Sequence, residues 1–110
     1  MVISHHQKKI GYSGSAGGKH IKGSYRYFSG TKTMSIRARQ GDTITVNFSS
    51  EVRRGELSLS IVDSSNNLVA ALETNTSGVK KINADKKEKY RLVIKGTGTE
   101  GNFDLSWDTN

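Results

Sequence analysis

The chain predicts an all-β fold, an antiparallel β-sandwich of jelly-roll-like type with about eight strands, and three observations carry that expectation. Four stretches alternate apolar and polar residues at period two: TITVNF from Thr43, ELSLSI from Glu56, KYRLVI from Lys89 and NFDLSW from Asn102. Successive side chains of a pleated strand point to opposite faces, so this pattern specifies a sheet with one buried and one wet face. Turn residues separate the strands at spacings of roughly ten to thirteen residues, the rhythm of a sandwich or barrel. Nowhere does an amphipathic helix of useful length show itself.

Taken in order, Met1 to Gly23 is Gly, Ser, Lys and His with isolated Val2, Ile3, Ile10, Tyr12 and Ile21. That mixture is too poor in apolar residues to bury itself, so residues 1–23 read as a flexible basic arm and 24–110 as the sandwich domain. A short strand around Gln7 to Tyr12 is the alternative. Tyr25 to Phe28 is a first strand closed by Ser29-Gly30, and Lys32 to Arg39 a second with Met34, Ile36 and Ala38 on one face. Gln40-Gly41-Asp42 turns the chain, and Ile44, Val46 and Phe48 form the inward row of the third strand. Ser49 to Gly55 reads as a longer polar loop before the row Leu57, Leu59, Ile61.

Asp63 to Asn67 is a turn, because Asp and Asn tolerate left-handed conformations and bond to their own backbone. Leu68 to Glu73 follows as a strand with both faces partly covered. Val79, Ile82 and Ala84 sit off strict alternation by one, which predicts a bulge in the next strand. Asp85 to Glu88 is a charged turn, Tyr90, Leu92 and Ile94 a row, Gly96 to Gly101 a glycine-rich turn, and Phe103, Leu105 and Trp107 the last row.

The 110 residues leave room for one domain. Without cysteine, neither a disulfide framework nor a thiolate metal site is available. Lys and Arg number 17 against 10 acids, a formal charge of +7 that favours anionic polymers and surfaces. Lys8, Lys9, Lys19 and Lys22 lie in the first 22 residues with no acid among them. The body is therefore only mildly basic. No apolar run approaches bilayer length, and the start lacks the continuous hydrophobic stretch of a secretory signal, as expected of a cytoplasmic protein or of a mature or trimmed extracytoplasmic one. The Ser, Thr, Asn, Lys and Gly richness resembles that of Gram-positive extracytoplasmic proteins, and a secreted or cell-surface location is the expectation, cytoplasmic the alternative.

Three segments together resemble the bacterial pre-peptidase C-terminal domain and similar modules at the ends of Gram-positive lipoproteins and secreted proteins: YRYF from Tyr25 followed by QGDTITVNF from Gln40, LSLSIVDSSNNLVA from Leu57, and KYRLVIKGTGTEGNFDLSW from Lys89. In place of the family's glycine before the late tyrosine stand Lys86, Lys87, Glu88 and Lys89. The resemblance implies a jelly-roll-like sandwich and an accessory, noncatalytic role in surface attachment, secretion or glycan contact. Membrane association would then come only through a lipid anchor outside this chain.

His5, His6 and His20 all fall in the expected arm. A His-His pair binds transition metals, but a structural zinc site wants four held ligands and no fourth is evident. With no histidine in the expected sandwich, a Ser-His-Asp set there is excluded. Asp42, Asp63 and Asp85 occupy turns, where local hydrogen bonding accounts for them better than paired acid–base chemistry does. Asp63, Asn66 and Asn67 are also oxygen donors of the kind calcium takes, without the ordered loop that holds it. GTGTEG from Gly96 has no following helix to make a phosphate cradle.

Tyr25, Tyr27, Arg37 and Arg39 are the candidate ligand-binding residues, and their presence on one surface depends on register. A three-residue loop from Gly30 to Lys32 puts both tyrosines on the wet face; a two-residue loop, Gly30 and Thr31, buries them. Exposed tyrosines beside arginines stack on sugars or bases while the guanidinium pairs with anions. The reading that follows is a noncatalytic extracytoplasmic interaction module, a monomer with no cofactor and no metal, binding an anionic cell-wall or surface polysaccharide or polymer. Sequence-specific nucleic-acid recognition is not expected, since the five-stranded oligonucleotide-binding barrel needs a helix. The alternative is a small secreted effector or inhibitor docking a protein partner through the Glu51 to Gly55 loop, with Arg53 and Arg54 as its contacts.

Overall fold

The computed structural model describes residues 2–84 and 88–110, with side chains described for 11–15, 17–84 and 89–110. Seven antiparallel strands and no helix make up this part: β1 (Val2–Ile10), β2 (Ser13–Gly17), β3 (His20–Ala38), β4 (Thr43–Val62), β5 (Leu68–Leu72), β6 (Ser77–Asn83) and β7 (Glu88–Thr109). With no helix among the described residues, none is long and apolar enough to cross a membrane. The turn expected at Asp85 lies outside the described residues, as do Lys86 and Lys87.

β3, β4 and β7 are long because each runs through both layers. The first half of β3 pairs with the second half of β7, which pairs with the first half of β4; β2 and β6 complete this first layer. The second half of β3 pairs with the first half of β7, which pairs with the second half of β4, and β1 and β5 flank this second layer. One continuous sheet thus folds over on itself into an antiparallel sandwich, and its two inner faces share a core. Ile44, Val46, Leu59, Ile61, Leu92, Ile94 and Leu105 are all buried there, on the faces that the period-two rows require.

Three expected loops turn out to be bends inside strands, which merges the eight expected strands into five, and β1 and β2 bring the number described to seven. Ser29-Gly30, Ser49 to Gly55 and Gly96 to Gly101 lie where the pairing registers of β3, β4 and β7 shift. An extra residue in one strand of a pair sharpens twist and bends it, so glycine marks a corner here and not a reversal. Gly101 has φ 150° and an added Cβ would stand 1.8 Å from the Glu51 carbonyl oxygen. Gly55, with φ 71°, would place a Cβ 2.3 Å from the Gly98 oxygen. The bulge expected in the Val79 strand is absent: β6 pairs with β4 in unbroken register from Ser77 to Asn83, and Val79 simply faces solvent at 58% exposure.

The expected arm is part of the sheet. β1 pairs with β3 from Val2↔Met34 to Ile10↔Tyr27, and β2 pairs with β3 from Ser13↔Ser24 to Gly17↔His20. Few apolar residues suffice because the tie is backbone hydrogen bonding plus two anchors. Ile21 is in the core, and Tyr12 stacks on Tyr25 at 6.0 Å with an interplanar angle of 8°. Tyr12 also receives a hydrogen bond from the Lys32 ammonium, which lies 4.0 Å above its ring and is itself buried. An aromatic face and a hydroxyl thereby shelter a cation at the sandwich edge.

Candidate ligand-binding surface

The four sequence candidates do not form one site. β3 is continuous, so neither hairpin register exists, and the bulge between Tyr25 and Phe28 turns both of those side chains inward. Tyr25 is 2% exposed and packs against Phe28 and Phe103, which removes it from any ligand surface. Burial pushes its hydroxyl pKa up to about 12, with Thr99 pulling it down and Tyr12 adding slightly. Tyr27 is half-buried, and its hydroxyl accepts a 3.3 Å hydrogen bond from Ser29. Arg37 and Arg39 are exposed and line an open groove of about 610 Å³ with Asp42 and the chain's last residues.

The Glu51 to Gly55 segment does not protrude as a loop. It lies within β4, where Arg53 donates to Glu51 at 2.7 Å and Arg54 sits 3.5 Å from Glu100. Asp63 accepts hydrogen bonds from the Ser65 and Asn67 amides at 2.9 Å, the turn chemistry expected of it. His20, expected in the arm, opens β3, and its Nε2 meets Asp104 at 2.5 Å on the outside of the first layer. A histidine therefore does lie in the sandwich, contrary to expectation, but no hydroxyl is hydrogen-bonded to it among the described residues. Nor do three His, Cys, Asp or Glu side chains converge anywhere among those residues.

The two outer faces differ in charge. On the first layer, cations and acids are interleaved: Lys22 faces Asp104 across the strands, His20 bonds Asp104, and Lys19 lies 3.7 Å from Asp108. A groove of about 600 Å³ runs over this mixed surface, lined by Ser13, Ser15, Lys22, Ser24, Asn102 and Asp104. On the second layer the pattern of β7 puts Lys89, Arg91 and Lys95 outward, alternating with buried Tyr90, Leu92 and Ile94. Arg37 stands opposite Lys89, Ser35 opposite Arg91, Thr33 opposite Val93 and Thr31 opposite Lys95; on the other side Ser60 and Ser58 face Val93 and Lys95. None of the four cations makes an ion pair with a carboxylate among the described residues. By register, Glu56 comes only at the end of the face, opposite Thr97.

This arrangement is a positive strip edged with hydroxyls, able to hold anions and hydrogen-bond polar neighbours without burying either. Of these four cations only Arg37 is among the residues expected from the sequence to bind ligand; Lys89, Arg91 and Lys95 are additions from the structure. The signal was present in KYRLVIK, where every outward position but Val93 is basic.

No family model matches the chain, and no curated protein matches it. Solved structures match it in fold. The secreted serine protease VesC from Vibrio cholerae aligns at TM-score 0.61 and 11% identity, over 87% of this chain and 22% of that one. The periplasmic g-type lysozyme inhibitor PliG from Aeromonas hydrophila aligns at TM-score 0.51 and 12% identity, over 90% and 88%. TmCBM61, solved with β-1,4-galactotriose, aligns at TM-score 0.53 and 12% identity, over 100% and 88%. The chain thus spans about a fifth of the protease but most of the inhibitor and of the carbohydrate-binding module. At these identities the likeness defines the class of fold, the β-sandwich.

Proposed function

We propose that the protein is a noncatalytic, extracytoplasmic binding module whose ligand is an anionic surface polymer or glycan, held on the outer face of the second layer. The observation that carries this reading is the set Arg37, Lys89, Arg91 and Lys95, none of which is paired with a carboxylate among the described residues. Like charges placed together cost folding free energy, and a polyanion returns it. The fold's likeness to a carbohydrate-binding module and to a periplasmic inhibitor, each along most of its length, supports a binding role outside the cytoplasm. The sequence resemblance to pre-peptidase C-terminal domains and lipoprotein modules points the same way.

Retention on an immobilised anionic polysaccharide tests it. Binding should fall as salt rises through the physiological range, and Arg37→Glu with Arg91→Glu should abolish it, while Lys22→Glu on the opposite face leaves it within about twofold. Retention insensitive to salt and to the double change would reject this reading.

A protein partner is the second reading, supported by the likeness to the lysozyme inhibitor. Arg53 and Arg54 would then be its exposed contacts, now on a bent strand. A single stoichiometric partner lost on Arg53→Glu and Arg54→Glu, with polymer retention intact, would favour it.

A further inference from the structure

The spacing of the cations specifies the ligand more closely than its sign. We infer that the strip along β7 binds a phosphodiester polymer of a short acyclic polyol, with phosphates three carbons apart. This rests on the reading of that face as an anion-binding surface.

Outward positions on one strand recur about every 7 Å. Lys89 and Arg91 are one such step apart, Arg91 and Lys95 two steps, and Val93 occupies the missing position. The pairing of β7 with β3 is unbroken from Glu88 to Gly96, so the repeat is straight over this length. A phosphodiester bridged by three carbons has six backbone bonds per repeat. Three backbone bonds of an extended peptide cover about 3.3 to 3.6 Å, so six cover about 7 Å, whereas the eight bonds of a five-carbon bridge cover about 9 Å. A three-carbon polymer lying along β7 therefore brings successive phosphates into step with Lys89, Arg91 and Lys95.

Two further features select an acyclic polyol over a pyranose chain. Along the strip from Lys89 to Lys95 no aromatic side chain faces outward among the described residues: Tyr90 is buried, and Tyr25, Phe28 and Trp107 are in the core. Ring stacking, the usual source of affinity for sugar faces, has no platform there. Thr31, Thr33 and Ser35 line one side of the strip and Ser58 and Ser60 the other, within reach of polyol hydroxyls. Arg37 and Arg91 supply the planar fork that matches two phosphate oxygens at once, while Lys89 and Lys95 act as point charges.

The test is a competition at fixed charge concentration and salt among poly(glycerol phosphate), poly(ribitol phosphate) and polygalacturonate, with the full chain. The three-carbon polymer should bind at least about tenfold more tightly than polygalacturonate and severalfold more tightly than the five-carbon one. Arg91→Ser should remove most of that preference, since it takes out the middle of the repeat. Val93→Lys, which fills the missing step, should raise affinity for the three-carbon polymer selectively. Equal or better binding of either competitor overturns this inference and leaves the anion-binding reading standing. Failure to bind any of the three at low salt overturns both.

Discussion

Arg37 lies directly across from Lys89 on the neighbouring strand, two exposed cations in register with no carboxylate paired to either among the described residues. Cross-strand pairs are where a sheet gains much of its side-chain stabilisation, and like charges directly opposite subtract from it. The first layer follows the favourable rule, with Lys22 opposite Asp104. Departure from it on the second layer alone marks that face as serving something other than folding.

Neutralising this pair should therefore stabilise the protein while weakening its binding. Arg37→Ser or Lys89→Ser is expected to raise stability by about 0.2 to 1 kcal/mol at low ionic strength, and the gain should shrink as salt is added. Denaturant midpoints at two salt concentrations measure this. Destabilisation by both changes would mean that the cations have partners within the fold.

The corner glycines should be intolerant of any side chain. In Gly101→Ala the new Cβ meets backbone at 1.8 Å and the residue keeps φ 150°, so β4 and β7 must part at the bend. We expect a loss above about 3 kcal/mol, or no folded protein. Gly17→Ala, with open space around it, should be nearly neutral, and thermal denaturation of the two variants measures the difference.

Alkaline stability should depend on Tyr25. Its folded pKa of about 12 exceeds the ordinary value of 10.0, so the unfolded chain loses this proton first as pH rises. The stabilisation is complete below pH 10 and is lost as pH climbs to about 12, amounting to roughly 2 to 3 kcal/mol. Tyr12, also shifted up by burial, adds in the same direction. Tyr25→Phe should flatten this limb of the stability profile and leave stability near pH 7 within about 1 kcal/mol, because no described group meets hydrogen-bond geometry at the buried hydroxyl. An unchanged alkaline limb in Tyr25→Phe would contradict the burial.

The N-terminal strands should prove structural. Tyr12→Ala removes the ring stacked on Tyr25 and the cover over Lys32, and should cost about 1 to 3 kcal/mol. Amides of Ser13 to Gly17 should exchange more slowly than those of the Asp63 to Asn67 turn. Equal exchange in the two segments would return residues 1–23 to the status of an arm.

The inner faces were legible in the sequence because burial imposes a strict period of two, and rows such as Ile44, Val46 and Leu57, Leu59, Ile61 admit no other face. Connectivity was less legible. Glycine and serine clusters at 29–30, 49–55 and 96–101 carry the same local preference whether the chain reverses or bends, and only the pairing partners distinguish the two. Tyr25 and Tyr27 were ambiguous for that reason: their direction follows from a bulge in β3 that no alternation reveals. The binding face was half-visible, since Lys89, Arg91 and Lys95 share a face by spacing alone. That Arg37 joins them depends on the register of β3 against β7, which is set by contacts some fifty residues apart in sequence.

The most direct test of the proposed binding face is an amide chemical-shift titration with poly(glycerol phosphate) at low salt. Perturbations should cluster at Arg37, Lys89, Arg91 and Lys95 and at Thr31, Thr33 and Ser58 beside them, with Lys22, Asn47 and Asp104 unmoved. Perturbations centred on Lys22 and Asp104, with Lys89 to Lys95 unchanged, would contradict it.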